Sequence, residues 1–138
     1  MSTQQEEQQR RGPLAGIKVL DFSRILSGPY ASMVLADLGA EVVKVEPVGS
    51  GDETRNFPPF KGPLSHYFIA LNRSKKSITR DLKTPEGAKI ARNLARKCDV
   101  VLENFRPGVM DRLGLGYETL KADNPGLVYC SITGFGRN

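Results

Sequence analysis

Three short polar segments contain the side chains best suited to binding an anionic ligand. Arg24 and Ser27 stand ahead of a Gly-Pro pair, residues 72–77 hold three cations in four positions, and Asn104 and Phe105 follow an apolar run. Guanidinium groups, ammonium groups and helix N-termini all bind phosphate oxygens. An exposed aromatic ring can also stack on a nucleotide base, so the three segments together suggest a nucleotide-like ligand.

Each segment also has an ordinary explanation. Residues 72–77 are most simply a solvated basic turn, and Phe105 could fill the core instead of facing a ligand. If Arg24, Lys75 and the Asn104-Phe105 pair lie at neighbouring strand ends, however, they favour one shared pocket.

Several other chemistries find little support in the sequence. His66 is the single histidine and no Gly-x-Ser-x-Gly motif is present, which argues against a nucleophilic triad. Cys98 and Cys130 form no Cys-x-x-Cys pair, so we expect neither a metal site nor a disulfide framework. The first strand lacks the Gly-x-Gly-x-x-Gly motif of dinucleotide folds, so Glu46 is interpreted as a surface strand end rather than a ribose ligand.

Composition sets wider bounds. The 138 residues, 39% of them hydrophobic, fit one domain, and the net charge of +5 favours a phosphate-bearing partner. Aromatic residues do not alternate with the basic ones, so nucleic acid is not expected, and no apolar run is long enough to span a membrane. We expect a cytoplasmic protein; Glu6 and Glu7 argue against a mitochondrial presequence, although a mitochondrial location stays open.

The apolar patterns predict alternating strands and helices. Strand Ile17–Phe22, helix Pro29–Leu38 and strand Glu41–Glu46 form one βαβ unit, with Ser27 as the helix cap and Gly39 as its stop. Further strands are predicted at 76–80, 99–103 and 127–132. Further helices are predicted at 65–71, 85–97 and 117–123, with Thr84 as a cap, a helical turn from Val109, and a long loop over 47–63.

This alternation predicts an α/β fold, a doubly wound and mainly parallel Rossmann-like sheet. Residues 1–13 read as a disordered polar tail, and residues 14–138 as the domain. Because the sequence stops in a glycine-rich loop directly after a strand, we expect the sheet to be truncated and the domain incomplete.

From Leu14 to the last residue, the sequence resembles the class III CoA-transferases, the family of the formyl-CoA:oxalate and the carnitine and bile-acid CoA-transferases. The shared segments are Leu14-x-Gly16-Ile17-x-Val19-Leu20-Asp21, Gly28-Pro29, 35–46, Gly49-x-Gly51-Asp52, Asn72-x-x-Lys75-x-Ser77-Ile78, 81–87, 99–108 and 131–136.

The resemblance implies a binding site for coenzyme A, which is a substrate of this family. The implied contacts are Arg24, Leu26 and Ser27 along CoA, Asn72 and Lys75 near its nucleotide and phosphates, and Asn104, Phe105, Arg112 and Leu113 around adenine and ribose. Leu26 stands where the formyl-CoA enzyme has a Gln, which disfavours formyl or oxalate specificity. Pro47 stands where some members have an Arg that contacts CoA.

The resemblance further implies transfer of CoA between an acyl-CoA and a carboxylic acid through an aspartyl anhydride and an aspartyl-CoA thioester, without a metal. The nucleophilic aspartate lies beyond Asn138, so no catalytic residue is expected in this chain, and alone it should be inactive. The family forms an interlocked homodimer. Two alternatives stay open: the racemase branch of the family, and a truncated, non-catalytic CoA- or nucleotide-binding chain.

Overall fold

A computed structural model describes residues 12–136. Its main sheet has five parallel strands in the order β5-β2-β1-β6-β7, and a separate antiparallel pair joins β3 to β4. The strands are β1 (Lys18–Asp21), β2 (Glu41–Glu46), β3 (Phe60–Lys61), β4 (Leu64–Ser65), β5 (Lys75–Thr79), β6 (Val100–Glu103) and β7 (Val128–Ser131). The predicted α/β class with a mainly parallel sheet is confirmed.

Five α-helices and one 3-10 helix connect these strands within the described residues. They are α1 (Ser27–Asp37), the 3-10 helix (Glu53–Asn56), α2 (His66–Asn72), α3 (Pro85–Ala95), α4 (Val109–Arg112) and α5 (Tyr117–Asp123). Part of the predicted 47–63 loop is therefore structured, because Asp52 caps the 3-10 helix and a short hairpin follows it.

Local signals explain most helix boundaries. The Thr84 hydroxyl accepts a hydrogen bond from the Gly87 amide, and Pro85 opens α3, as predicted. Gly39 has a φ of 102°, which suits its predicted role in stopping α1. The prediction for Ser27 is wrong: α1 begins at Ser27 itself, and Leu26 occupies the cap position without a side-chain hydrogen bond.

The sheet buries both faces. Neighbouring residues of β1 point in opposite directions, so Val19 packs with Ala36 of α1 while Leu20 packs with Ala91 of α3. Because helices cover both sides, the central strands β1, β2 and β6 are rich in apolar residues, whereas the edge strand β5 is mostly polar and more exposed.

The strand order reverses between β1 and β6. The chain runs outward from β1 through β2 to β5, then returns to place β6 on the other side of β1, followed by β7. In an open parallel sheet, the carboxyl ends of strands at such a reversal form the usual ligand crevice. The segments after β1 and β6 therefore frame the first place to look for a site.

The prediction of a disordered tail concerns mostly residues 1–11, which lie outside the described part of the chain. Gly12 and Pro13 are described: the Gly12 carbonyl accepts a hydrogen bond from the Ala15 amide. Over residues 12–136, no helix is long and apolar enough to cross a bilayer.

Candidate functional site at the carboxyl edge of the sheet

A buried ion pair lies beneath the carboxyl edge of the main sheet. Lys44 of β2 and Asp52 are each 1% exposed, and their Nζ and Oδ2 atoms lie 2.9 Å apart. The Lys44 ammonium also donates to the Ser23 carbonyl at 2.7 Å, while Asp52 accepts from the Thr54 amide and hydroxyl. Burial raises the pKa of Asp52, but the hydrogen bonds from Lys44 and Thr54 outweigh it and lower the pKa overall.

Glu46 belongs to the same buried cluster, so its interpretation as a surface strand end is wrong. It is 2% exposed; Arg55 donates to both its carboxylate oxygens at 2.7 Å, and the Asp52 amide donates to it at 2.9 Å. Burial raises the pKa of Glu46, but hydrogen bonds from Arg55, Ser77 and the Asp52 amide outweigh it and lower the pKa to about 2. With its carboxylate engaged this way, Glu46 acts as an anchor for the 47–56 loop.

Lys75 is also buried rather than solvated. Its side chain is 1% exposed, and the ammonium donates to the Pro29 carbonyl at 2.8 Å and the Asn72 side-chain oxygen at 2.9 Å, with Asp21 at 3.4 Å. Burial is the main reason that the pKa of Lys75 falls to about 8. Asn72, 9% exposed, also donates to the Phe68 carbonyl at 3.0 Å.

The predicted shared pocket therefore does not include Lys75. Lys75 is the first residue of β5 and aligns with Val42 near the start of β2, so its backbone lies towards the amino ends of the strands. The expectation treated residues 72–77 as a strand end, but they lead into the strand. Arg80, which directly follows Thr79, takes the place at the carboxyl edge.

The segments after β1 and β6 meet directly at the reversal point. The Asn104 side chain accepts a hydrogen bond from the Arg24 amide and donates one to the Arg24 carbonyl, both at 2.8 Å. Arg24 Cζ also lies 5.0 Å from the centre of the Phe105 ring. These contacts bring Arg24, Asn104 and Phe105 together in the structure.

A cleft of about 480 Å³ opens beside this contact. It is lined by Arg24, Val45, Glu46, Pro47, Val48, Ser50, Arg80, Asp81, Leu82, Lys83, Phe105, Val109 and Leu113. The predicted site residues Arg24, Phe105 and Leu113 thus share one cavity, which also combines apolar walls with cationic groups.

The cations of the cleft are less firmly paired than those below it. The Arg24 side chain lies 3.5 Å from Glu53, and its Nε atom is buried without a hydrogen-bond partner among residues 12–136. Arg80 donates to the carbonyl of its neighbour Thr79, and the exposed Lys83 forms no ion pair within the described part. These groups remain available to an anion, although the Asp81 carboxylate also lines the cleft.

The remaining predicted residues lie outside the cleft lining. Leu26 and Ser27 are exposed where α1 begins, and Arg112 is exposed at the end of α4. Sequence reasoning missed Arg80 and Lys83. The signal was present, because Arg80 is the last residue of the predicted strand 76–80 and Lys83 follows it closely, as Arg24 and Asn104 follow theirs.

Gly28 lets α1 approach the turn after β1 closely. A Cβ atom at this position would lie 2.1 Å from Ser23 Cβ, which no side chain can accommodate without movement. The helix therefore begins directly against the polar turn that carries Arg24, which explains the Gly-Pro pair at this point in the sequence.

Other sites are not indicated. Among residues 12–136, no cluster of three or more His, Cys, Asp or Glu side chains could hold a metal ion. Cys98 and Cys130 are free thiols whose pKa values are raised mainly by burial. The cleft is thus the best candidate for a binding site in the described part.

A mainly parallel sheet with helices between its strands and a cleft at its carboxyl edge places the chain among the open α/β proteins. The family is given by comparison: residues 14–138 match the model of CoA-transferase family III, and the chain belongs to that family. The resemblance identified from the sequence motifs is thereby confirmed.

Similar proteins agree with this assignment. The chain is 52% identical over 126 residues to human succinyl-CoA:glutarate CoA-transferase, covering 91% of this chain and 29% of that protein. It is 48% identical to the acetyl-CoA:oxalate CoA-transferase of Acetobacter aceti, covering 92% of this chain and 33% of that protein.

Solved structures show the same fold. A CAIB/BAIF family protein from Brucella suis superposes with a TM-score of 0.86 at 50% identity, covering 92% of this chain and 35% of that one. Rv3272 from Mycobacterium tuberculosis gives 0.85 at 48% identity, again covering 92% of this chain and 35% of that one. The chain therefore spans about a third or less of the length of these relatives.

Proposed function

We propose that this chain is the CoA-binding part of an enzyme that transfers CoA between an acyl-CoA and a free carboxylic acid. The observation that carries this proposal is the cleft at the sheet reversal, where Arg24, Arg80 and Lys83 surround a cavity that also contains Phe105. CoA carries several phosphate groups and an adenine ring. Loosely paired cations and an aromatic wall match those two features.

Within this proposal, the phosphates lie near Arg24, Arg80 and Lys83, and the buried Nε–H of Arg24 gains a partner. The adenine ring packs against Phe105 and Leu113. Leu26 and Ser27 contact the extended part of CoA where it leaves the cleft over the exposed start of α1, and Arg112 approaches from its rim. Asn72, Lys75 and Asn104 serve the site through the protein contacts already described.

The proposed reaction is the one implied by the family. A carboxylate of an aspartate outside this chain attacks the thioester carbonyl, which releases CoA thiolate and forms a mixed anhydride. The thiolate then attacks the aspartyl carbonyl, which releases the donor acid and leaves an aspartyl-CoA thioester. The acceptor carboxylate attacks this thioester, which releases CoA thiolate and forms a second mixed anhydride. The thiolate then attacks the acceptor carbonyl of that anhydride, which forms the new acyl-CoA and regenerates the aspartate carboxylate.

In these reaction steps, this chain binds CoA, and the binding energy of the nucleotide, remote from the reacting thioester, holds the thioester in place. We propose a homodimer, a cytoplasmic location and metal-independent chemistry for the whole protein. The relatives are named as transferases that act on an acyl-CoA and a dicarboxylic acid, which favours transfer over the racemase alternative. Succinate and glutarate are the first acids to test, and oxalate, which Leu26 disfavours, is the comparison.

Incubation of the full-length protein with succinyl-CoA or acetyl-CoA and each candidate acid tests the proposal. Chromatography should show a new acyl-CoA and an equal amount of released donor acid, with no net loss of thioester. Hydrolysis of acyl-CoA without a new thioester, or inversion of an α-centre without any acceptor, would contradict transfer.

A further inference from the structure

Ile25 has a backbone conformation that is rare for its side chain. Its φ is 67°, within the left-handed region, where a β-branched residue is a genuine outlier. The residue directly follows Arg24 in the cleft and precedes Leu26, where α1 is capped. Strained backbone persists only when its surroundings hold it, so this turn requires groups that fix its conformation.

Side chains from four separate segments of the chain hold consecutive backbone groups of the turn. Asp21 accepts from the Ser23 amide at 2.8 Å, and Lys44 donates to the Ser23 carbonyl at 2.7 Å. Asn104 binds both the amide and the carbonyl of Arg24. The Ile25 amide then donates to both oxygens of Asp52, at 3.3 and 3.4 Å.

Lys44 and Asp52 bind backbone groups on either side of Arg24. Lys44 binds the carbonyl before Arg24, Asp52 binds the amide after it, and the two side chains are paired with each other at 2.9 Å. Both are almost completely buried and do not line the cleft. They therefore act on a ligand without touching it, through the backbone that they hold.

We infer that Asp52, supported by Lys44, is a positioning residue that holds Ile25 in its left-handed conformation and thereby fixes Arg24 and Leu26 for CoA. This inference rests on the proposed CoA-binding function. The left-handed residue changes the chain direction between Arg24, whose side chain lies against Phe105, and the start of α1. Without the hydrogen bonds from its amide to Asp52, Ile25 would return to a negative φ, and this change would reorient Arg24 and Leu26.

The inference makes the effect of Asp52 depend on the residue at position 25. Glycine adopts a positive φ at little cost, whereas alanine still resists it. Asp52→Asn should therefore weaken CoA binding and lower the urea midpoint most when position 25 is Ile. The loss should persist in an Ile25→Ala background, which removes the side chain but keeps the strain, and shrink in an Ile25→Gly background.

The experiment measures the CoA dissociation constant by calorimetry and the urea unfolding midpoint for the six variants. These are Ile, Ala or Gly at position 25, each with Asp or Asn at position 52. We expect Asp52→Asn to weaken CoA binding about tenfold with Ile or Ala and no more than about threefold with Gly. The decrease in urea midpoint caused by Asp52→Asn should likewise be larger with Ile or Ala than with Gly at position 25, and it should be measurable in the absence of CoA.

Equal losses in all three backgrounds, with CoA still bound by the unsubstituted chain, would overturn the positioning role and leave the proposed function intact. Failure of the unsubstituted, folded chain to bind CoA would overturn the proposed function and the role in CoA binding together. In that case a urea pattern that still follows the residue at position 25 would locate the failure in the ligand and not in the turn.

Discussion

The two layers at the carboxyl edge of the sheet use the same residue types in opposite ways. In the buried layer, Lys44 and Lys75 lie against Asp52 and Asp21 with side chains 1% exposed. In the cleft above, Arg80 and Lys83 meet solvent and form no carboxylate pair within the described part. Paired and buried charges hold a structure together, while loosely paired ones are free to bind.

The comparison shows why a count of basic residues is a poor guide to a binding site. Lys75 stood out in the sequence because it lies between two other cations. Its ammonium is bound by the nearby Asn72 and by two groups far along the chain, Asp21 and the Pro29 carbonyl. Burial costs a charge its hydration, and only such specific partners offset that cost. These partners become visible only when the fold is known.

Among the predictions for the buried layer, Lys44→Met should cause the largest loss of stability. This change leaves the Asp52 carboxylate buried without its counter-ion, and loss of one partner of a buried pair typically costs about 3–5 kcal/mol. Urea unfolding followed by circular dichroism measures the free energy of unfolding. A loss below 1 kcal/mol would mean that Lys44 and Asp52 are not the anchor described here.

Acidification tests the same layer through Glu46, whose pKa is lowered from 4.5 to about 2. A carboxyl with a lowered pKa stabilises the fold fully above its unfolded pKa, and this contribution disappears as the pH falls through the folded value. The free energy of unfolding should therefore drop by about 3 kcal/mol between pH 5 and pH 2 on account of this group.

Glu46→Gln supplies the control for that pH series. The variant should be less stable than the parent at pH 6, and its stability should fall less steeply between pH 5 and pH 2 because the titrating group is gone. Parallel curves for parent and variant would show that Glu46 is not bound as tightly as its contacts with Arg55 and Ser77 indicate.

The cleft should respond in binding rather than in stability. We expect Arg80→Ala and Lys83→Ala each to weaken CoA binding by up to about tenfold, or about 1.4 kcal/mol, with unfolding free energies within about 0.5 kcal/mol of the parent. Arg96→Ala is the matched control, because Arg96 is an exposed cation of the α3 end that pairs with Asp123 outside the cleft. Equal effects from all three variants would indicate a general charge effect.

The smallest effect is expected at Lys76. Its ammonium lies 2.9 Å from Glu41, but the two side chains are 71% and 49% exposed. Exposed pairs contribute about 0–1 kcal/mol, so Lys76→Met should barely change the free energy of unfolding. A loss as large as that of Lys44→Met would contradict the distinction between buried and exposed ion pairs.

Much of the fold could be predicted because its signals are local. Apolar runs located the sheet strands, and Thr84 with Pro85 marked the start of α3. The short hairpin of Phe60–Lys61 and Leu64–Ser65 has only two residues in each strand, which is too few for an apolar period to be recognised. The cap assigned to Ser27 failed because the close approach permitted by Gly28 sets the helix start.

The site could be predicted only in part. Arg24, Asn104 and Phe105 follow strands, so their meeting at the carboxyl edge follows from parallel topology alone. Whether Lys75 faces solvent, or Glu46 meets Arg55, depends on tertiary contacts that no local pattern encodes. The direction of a strand decides which of its flanking segments reaches the site, and this separates Arg80 from Lys75.

Calorimetric titration of CoA into the folded chain, repeated with the Arg80→Ala and Arg96→Ala variants, tests the central claim most directly. The account predicts saturable binding by the parent and by Arg96→Ala, and clearly weaker binding by Arg80→Ala. Absence of saturable binding by the folded parent, or equal affinity for all three proteins, would contradict the assignment of this cleft to CoA.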